Sequence, residues 1–354
     1  MKKHKWALGF SACLLAFTVF LSLDTFVLSS AYQENATQMN TAMFESVTSE
    51  KSDEDTQQPE AVEENAADAA EPQAETAPQE NMENFGKKHK SRKTDGEESV
   101  RETAETPAEI AADSANSRTY QDENVSVTLT EQTVNGTAVY VADVRLSSAE
   151  YLKTAFADDT YGKNVTAKTS TIAAAHDAIL AVNGDYYGAR ERGYVIRNGV
   201  VYRDSADSAD VLCVYADGTM EIVDPATVTA QELVERGVWQ AFSFGPALVE
   251  DGSVSVSEGD EVGKAKASNP RTAVGMIEPL HYVFVVSDGR TDASEGLSLY
   301  ELAQFMRTLG AETAYNLDGG GSSTMVFQGE VINNPTTSGN SIKERGVSDI
   351  VYIG

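Results

Sequence analysis

Three consecutive glycines lie in the stretch Tyr315-Asn-Leu-Asp-Gly-Gly-Gly-Ser-Ser-Thr324. Glycine costs conformational entropy inside a folded domain, so a run of three indicates a sharp turn or a close approach to a bound group. Consecutive backbone N–H groups can form a concavity that binds an anion, although by composition alone a glycine-rich loop is more often only a turn. No Gly-Lys-Ser/Thr sequence follows the run, which excludes a nucleotide P-loop.

Predicted hairpins and one clear helix surround this loop. Five apolar residues between Ser298 and Leu309 recur at helical spacing, which predicts an amphipathic helix. Asn135-Gly136, Asn198-Gly199 and Asp217-Gly218 are each flanked by apolar runs, which predicts three β-hairpins. Phe242 to Val249 reads as one further strand. Many hairpins and few helices predict an α+β domain, made mostly of antiparallel strands with a few flanking helices.

The charge and cysteine content exclude several functions. The chain has 27 basic and 55 acidic side chains, a net charge of -28, and residues 120–354 alone carry a net charge of -17. Nucleic-acid backbones require clustered Lys and Arg, so no nucleic-acid partner is expected. Cys13 and Cys213 are the only cysteines and lie far apart in the sequence, and there are only 4 histidines. A disulfide scaffold is therefore excluded, and a Cys/His zinc site is not expected.

The N-terminus has the pattern of a targeting segment. Three lysines precede an uncharged, mostly apolar run from Ala7 to Leu23, 17 residues long. The apolar region of a cleaved signal peptide is usually about 7–15 residues, and a membrane-spanning helix needs about 20. Residues 1–31 are interpreted as an uncleaved signal anchor, with a cleaved signal peptide as the alternative. Because the lysines come first, the rest of the chain is expected outside the cell, held at the cell membrane by a single span, or secreted if the segment is cleaved.

An acidic segment separates this anchor from the rest of the chain. Residues 32–119 carry a net charge of -13 and few large apolar side chains, so they are predicted to be a disordered linker. The basic island Lys87–Lys93 is either a solvated charge run or a contact with anionic lipid or wall polymer. Residues 120–354 are predicted to form one folded domain.

Polar residues stand in short loops beside the predicted strands. They are Asn183, Asp185, Arg271, Asp288, Arg345 and Asp349, with Asn316, Asp318 and Ser322 at the glycine run. Each alone is more often a turn residue or an ion pair than a catalyst. Arginine can bind phosphate through two parallel hydrogen bonds, and carboxylates can act as general acid, base or nucleophile. Together these residues supply what cleavage of an anionic sugar ester requires.

Motifs along the second half of the chain resemble those of the phosphodiester glycosidase family. In order they are Val182-Asn-Gly-Asp-Tyr-Tyr187, Phe244-Gly-Pro-Ala-Leu-Val249, Asn269-Pro-Arg-Thr-Ala-Val-Gly275, Val286-Ser-Asp-Gly-Arg290, and Asn316-Leu-Asp-Gly-Gly-Gly-Ser-Ser-Thr-Met325 followed by Glu344-Arg-Gly-Val-Ser-Asp349. The resemblance covers about residues 170–354. Asp185 departs from the family pattern, because glycine is frequent at that position. This departure predicts an altered sugar pocket or a cation contact.

The resemblance implies hydrolysis of a sugar-1-phosphodiester at the anomeric bond, giving a free sugar and a phosphomonoester. It implies that phosphate is bound by Arg271 and Arg345 with the amides of Gly319, Gly320 and Gly321. The implied catalytic carboxylates are Asp288, Asp318 and Asp349. The implied groups that orient the sugar or a water are Asn183, Asp185, Asn316 and Ser322. No cofactor is assigned, and Ca²⁺ is kept as an alternative because it prefers clustered oxygen ligands.

The expected partner is a glycan or glycosyl-phosphate polymer, in the cell wall, a capsule or an exopolysaccharide. Two alternatives on the same fold remain open: a carbohydrate-binding protein without turnover, and a transferase of exopolysaccharide assembly. The sequence does not specify the sugar, the polymer, the oligomeric state, or retention against inversion at the anomeric carbon, which depends on the distance between two carboxylates.

Overall fold

The computed structural model describes residues 14, 37–44, 117–261, 268–338 and 341–354. Within these ranges the strands are β1 Arg118–Gln121, β2 Val125–Val134, β3 Thr137–Leu146, β4 Leu152–Phe156, β5 Ala167–Lys168, β6 Leu180–Asn183, β7 Val195–Arg197, β8 Val200–Arg203, β9 Val211–Tyr215, β10 Met220–Val223, β11 Val238–Phe242, β12 Ala247–Glu250, β13 Ser253–Val254, β14 Arg271–Glu278, β15 His281–Ser287, β16 Thr313–Asn316, β17 Met325–Phe327, β18 Glu330–Val331, β19 Thr336–Ser338, β20 Ser341–Ile342, β21 Gly346–Val347 and β22 Asp349–Ile353. The helices of the folded part are α1 Thr169–Ala175, α2 Ala230–Glu235 and α3 Leu299–Thr308.

The strands form three main sheets in which neighbouring strands run antiparallel. The largest has the order β1-β2-β3-β15-β14-β16-β12-β13. A second sheet has the order β10-β9-β11-β7-β8, and a third has the order β18-β17-β6-β22-β4. The predicted α+β class with mostly antiparallel strands and few helices is therefore confirmed.

The main core lies where the faces of these three sheets meet. Leu129 and Phe284 of the eight-stranded sheet are in one buried cluster with Leu212 of the second sheet and Val351 of the third. The opposite face of the eight-stranded sheet packs against α3, whose Leu302 is fully buried there. Full burial of one such side chain contributes about 1.5–3 kcal/mol, so the packing of the three sheets against one another stabilises the domain.

The local signals in the sequence account for the hairpins and for α3. Asn135 and Gly136 both have positive φ, 48° and 74°, as do Asn198 and Gly199, 52° and 74°. Two such residues in a row give the tight turn whose twist matches that of a hairpin. In α3 the side chain of Ser298 accepts from the backbone N–H three residues later, and the Glu at that position bonds back to the Ser298 N–H. The three predicted hairpins and the predicted helix are confirmed.

The prediction of one strand from Phe242 to Val249 is wrong. The chain forms two strands there, β11 and β12, and they belong to different sheets. Gly245 between them has φ 75°, a left-handed backbone conformation outside the range of regular strands. Pro246 follows and has no N–H to donate to a neighbouring strand. The chain therefore crosses from one sheet to the next at this point.

The N-terminal predictions fall mostly outside the described residues. Of the predicted anchor, residues 1–31, only Leu14 is described, and the structure tests neither anchor nor signal peptide. In the part of the chain that is described, no helix has the length and apolar character needed to cross a membrane. Of the predicted linker, residues 37–44 and 117–119 are described, and β1 begins at Arg118, two residues before the predicted domain start.

Residues 37–44 contact the folded domain although they lie within the predicted linker. The Asn40 N–H donates to the Asn198 carbonyl at 2.9 Å, and the Gln38 N–H donates to the Tyr202 hydroxyl at 2.8 Å. The ring of Phe44 packs edge-on against buried Trp239, with 4.9 Å between the ring centroids. Such aromatic pairs contribute about 0.5–1.5 kcal/mol beyond their buried area. Residues 37–44 therefore lie alongside the turn between β7 and β8.

Candidate active site

Strand register brings the polar loops of the sequence together. In the third sheet Asn183 at the end of β6 pairs with Ile350 of β22, and Val182 pairs with Met325 of β17. In the eight-stranded sheet Asn316 at the end of β16 pairs with Ala273 of β14. The glycine loop leaves β16 and enters β17, so it connects the two sheets. Because of this pairing, the ends of the strands beside the loop lie close together.

The glycine loop is held closely against its neighbours. The side-chain amide of Asn183 donates to the Asp318 carbonyl at 2.6 Å, and the Gly320 N–H donates to the Pro270 carbonyl at 2.8 Å. Gly320 has φ 62°, which favours glycine. A Cβ at Gly321 would lie 2.9 Å from the Thr337 Cα. The Gly320 amide is thus used within the fold, and a phosphate on all three predicted amides would have to displace that bond.

Asp318, Ser322 and Arg345 form one hydrogen-bonded cluster at the loop. The Arg345 guanidinium donates to Asp318 Oδ2 at 2.8 Å, and its Nε donates to the Ser322 hydroxyl at 3.0 Å. Ser322 in turn donates to Asp318 Oδ2. The Arg345 side chain is 39% exposed, against 12% for Asp318. Burial raises the pKa of Asp318, against the opposing effects of Arg345 and Ser322.

A cavity of about 280 Å³ adjoins this cluster. Arg345 lines it together with Asn164, Thr166, Tyr186, Gly188, Ala189, Gly346 and Ser348. Tyr186 is 40% exposed and has φ 64°, a conformation that costs energy for a residue with a side chain. The Arg345 guanidinium lies over its ring at 5.8 Å from the centroid. The cavity thus has an arginine and an aromatic face on its wall, the two surfaces that a charged sugar ester needs.

A buried ion triad holds two of the predicted site residues. Arg197, on β7, donates to Asp185 Oδ1 at 2.9 Å and to Asp349 Oδ2 at 2.8 Å. All three side chains are at most 1% exposed. The guanidinium also lies over the Phe242 ring, 4.4 Å from its centroid. Burial, opposed by Arg197, raises the pKa of Asp349 to about 6. One cation shared by two carboxylates leaves a net negative charge, and uptake of a proton relieves it.

Gly184 connects the backbone of Asp318 to the backbone of Asp349. Its N–H donates to the Asp349 carbonyl at 3.0 Å, and its carbonyl accepts from the Asp318 N–H at 3.2 Å. A Cβ at this position would overlap the Asp349 carboxylate. The triad therefore packs directly behind the backbone that carries Asp318. Asp349 itself is 0% exposed, and no substrate atom reaches it in this conformation.

Three further predicted residues make contacts within the fold. Arg271 is buried, ion-paired to Glu261 at 2.7 Å, and its Nε donates to the Leu297 carbonyl. Asp288 accepts from the Asn334 N–H at 2.8 Å and from the Asn334 amide at 2.9 Å. Asn316 donates to the Gly245 carbonyl at 2.8 Å. A phosphate at Arg271 would have to compete with Glu261. Asp288 is placed to fix the loop that follows β18.

Apart from Arg271, Asp288 and Asn316, the predicted site residues fall into two groups by position. The structure brings Asn183, Asp318, Gly319, Gly320, Gly321, Ser322 and Arg345 together at the loop, whereas Asp185 and Asp349 meet at Arg197 behind it. The described residues contain no group of three or more His, Cys, Asp or Glu side chains that could hold a metal ion. Asp185 makes its ion pair with Arg197, so the departure from glycine here supplies a cation contact within the protein.

Sequence reasoning missed two residues of this region. Arg197 is a charged residue at the end of the buried strand β7, directly after Val195 and Ile196, and a charge beside such an apolar pair is a signal for a buried ion pair. Tyr186 is the first of two tyrosines after Asp185 in a loop, and the sequence did not show which of the two would be exposed. Its neighbour Tyr187 is buried against Phe156.

Comparison with known proteins identifies the family. The sequence pattern of the phosphodiester glycosidase family matches residues 176–354, about half of the chain. This range contains the glycine loop, Arg345 and the ion triad. The chain belongs to the phosphodiester glycosidase family. The resemblance predicted from the motifs is thereby confirmed.

The individual relatives are distant and longer. The chain is 30% identical over 165 residues to the SPbeta prophage-derived uncharacterized protein YomE of Bacillus subtilis, covering 44% of this chain and 25% of that protein. It is 32% identical over 120 residues to the mouse N-acetylglucosamine-1-phosphodiester alpha-N-acetylglucosaminidase, covering 33% of this chain and 23% of the enzyme. The match thus spans about a quarter of the length of these relatives. The catalytic domain of the zebrafish enzyme of that name shares the fold, with a TM-score of 0.52 and 19% identity over 67% of this chain and 87% of that domain.

Proposed function

We propose that the protein hydrolyses the bond between the anomeric carbon and the phosphate in sugar-1-phosphodiesters, such as those of N-acetylglucosamine, in cell-surface or extracellular glycopolymers. The observation that carries this proposal is that Arg345, which lines the cavity together with Tyr186, is bonded to Asp318 and Ser322. Family membership supports the reaction class. The pattern of residues 1–31 supports the location at the cell membrane.

The chemistry of the leaving group assigns the roles. A phosphomonoester has a second pKa of about 6, so it departs near neutral pH without being protonated. The enzyme must therefore neutralise the charge that develops on phosphate and deliver a nucleophile to the anomeric carbon. Arg345 provides the first function, because it is the part-exposed cation of the cluster. Asp318 provides the second, as the carboxylate that activates water or attacks directly.

The ion triad acts on the catalytic carboxylate through the backbone. Arg197 fixes Asp349, and Asp349 and Asp318 are both bonded to Gly184. In this proposal Asp185 and Asp349 are positioning residues, and Asn183 fixes the loop from the other side. A rigid support of this kind is what holds a catalytic group in productive geometry.

Product analysis tests the proposed function against its alternatives. The purified full chain is incubated with a panel of sugar-1-phosphodiesters that includes an α-N-acetylglucosamine-1-phosphate ester, and products are identified by mass spectrometry. If the protein is a hydrolase, it should release equal amounts of free sugar and phosphomonoester. Neither product should form with Asp318→Asn. A glycosylated acceptor, formed when carbohydrate is added, would show a transferase. Binding of a glycan without any release would show a carbohydrate-binding protein.

Tyr186 is predicted to bind the sugar ring. Tyr186→Ala removes the exposed aromatic face and is expected to raise KM about tenfold, which corresponds to about 1.4 kcal/mol of lost binding, with kcat nearly unchanged. Tyr186→Phe keeps the ring and should keep KM. Steady-state kinetics on both variants check this. Equal KM for Tyr186→Ala and wild type would show that Tyr186 does not bind the sugar ring.

A further inference from the structure

Arg290 lies directly on the glycine loop. It follows β15 and has φ 63°, a left-handed conformation that costs energy for a residue with a side chain. A Cβ at Gly320 would lie 2.7 Å from the Arg290 Nη2, so the guanidinium reaches the loop because position 320 is glycine. The glycine run thus makes room for an arginine. This is a second use of Gly320, beside its bond to Pro270.

The hydrogen bonds of this guanidinium go to neutral groups. Nη2 donates to Asn269 Oδ1 at 3.0 Å, and Nε donates to the same oxygen at 3.3 Å. Nη1 donates to the Thr337 carbonyl at 3.1 Å and to the Thr336 carbonyl at 3.5 Å. These contacts fix the plane of the fork. They supply no negative charge.

Arg290 differs in this respect from three arginines that have carboxylate partners. Arg197 is paired with two aspartates, Arg271 with Glu261, and Arg345 with Asp318. Within the described ranges, no carboxylate forms an ion pair with Arg290, although residues 120–354 carry a net charge of -17. A positioned cation without a counter-ion in an acidic protein indicates that a ligand provides the negative charge.

The charges of the three side chains at the loop leave room for an anion. Arg345 and Asp318 form an ion pair with each other, so Arg290 contributes one positive charge without a carboxylate partner, and a phosphodiester carries one negative charge. Burial and the positive charges of Arg345 and Arg271 lower the pKa of Arg290, and a bound anion would offset all three effects. Arg271 already has Glu261, so Arg290 is the better placed partner for a second phosphate oxygen.

We infer that Arg290 binds the phosphate of the substrate together with Arg345, and that Arg271 serves instead to hold Glu261. The inference rests on the proposed function for the identity of the substrate. Its physical content is narrower, since it requires only that a sugar phosphate binds at the glycine loop. The fixed fork of Arg290 allows two parallel hydrogen bonds to phosphate, which lysine cannot provide.

Direct binding tests this inference without turnover. Isothermal titration calorimetry on the full chain uses α-N-acetylglucosamine-1-phosphate as the probe and N-acetylglucosamine as its uncharged counterpart. Arg290→Gln is expected to weaken binding of the phosphate probe about 10- to 100-fold and to leave binding of the uncharged sugar unchanged. Arg290→Lys should fall between the two. Arg307→Gln, a matched loss of charge at an exposed position of α3, should bind as wild type does.

The outcomes separate this inference from the proposed function. Phosphate-probe binding that survives Arg290→Gln at wild-type strength would overturn the role of Arg290, even if the wild type hydrolyses phosphodiesters. A wild type that does not bind the probe more tightly than the uncharged sugar would also overturn it. Loss of binding in Arg290→Gln, with Arg290→Lys folded and intermediate, supports the inference even if no hydrolysis is found. Far-UV circular dichroism and urea midpoints show that each variant is folded.

Discussion

Arg345→Ala is expected to lower kcat/KM for a sugar-1-phosphodiester by about 10²- to 10³-fold, the usual effect of removing one positioned group that stabilises developing charge. The loss should appear mainly in kcat, because negative charge builds on the phosphate as the anomeric bond breaks. The substitution also leaves Asp318 bonded to Ser322 without its ion pair. Steady-state kinetics with the full chain measure both constants.

Two matched variants sharpen this prediction. Arg345→Lys keeps a positive charge without the planar fork, so it should recover part of the lost activity. Arg307→Ala removes an exposed arginine from the last turn of α3 and should behave as wild type. If Arg345→Ala keeps kcat/KM within about threefold of wild type, Arg345 does not stabilise the transition state, and the roles given to its cluster would be wrong.

Arg197→Met is expected to destabilise the fold by about 3–5 kcal/mol, because removing one partner leaves buried charge without compensation. Two carboxylates, Asp185 and Asp349, would then share a site with at most 1% exposure and no cation. Native domains are stable by only about 5–15 kcal/mol, so the loss is large. Urea unfolding followed by circular dichroism measures the change in the free energy of unfolding.

Asp349 is expected to make the free energy of unfolding depend on pH. The pKa of Asp349 is raised to about 6 in the folded protein, above the ordinary 3.8. The folded state therefore binds the Asp349 proton more tightly than the unfolded state does. Protonation of Asp349 stabilises the fold fully below pH 3.8, and this contribution is lost as the pH rises through about 6. Asp349→Asn should remove this part of the pH dependence. In Arg197→Met the destabilisation should shrink as the pH is lowered and Asp349 takes up a proton.

A double variant keeps the test valid if Arg197→Met unfolds. Asp349→Asn combined with Arg197→Met removes one of the two stranded charges and should be more stable than Arg197→Met alone. Arg307→Met, at its exposed position, should change stability by about 0.5 kcal/mol or less. A loss below about 1 kcal/mol in Arg197→Met, independent of pH, would contradict the interpretation of the triad as a buried ion cluster.

Local signals in the sequence were enough to predict the fold class, three hairpins and the helix α3. Asn135-Gly136 and Asn198-Gly199 adopt the positive φ values that their hairpins need, and Ser298 caps α3. The division of the strands into three sheets was not predicted, since hairpin signals do not specify which hairpins pair. The crossing at Gly245 was missed for a related reason. Apolar residues on both sides read as one strand, and the left-handed glycine separates them.

The sequence predicted part of the site. The contacts that it did not predict have a common physical cause. Asn183, Asp318, Ser322 and Arg345 meet at the loop because strand register brings their chain ends together. Motifs could name these residues but could not show their contacts. Arg271 faces Glu261, whereas Arg290 faces neutral groups, and this difference depends on side-chain packing that the motifs do not specify. The same is true of Arg197, whose two partners lie 12 and 152 residues away.

The position of bond cleavage tests the central claim most directly. The full chain is incubated with an α-N-acetylglucosamine-1-phosphodiester in H₂¹⁸O, and both products are weighed by mass spectrometry. Attack at the anomeric carbon predicts ¹⁸O in the free sugar and none in the phosphomonoester, with no incorporation above background in Asp318→Asn. Label in the phosphomonoester would mean attack at phosphorus. The protein would then be a phosphodiesterase on a glycosidase fold, and the roles assigned to Asp318 and Arg345 would be wrong.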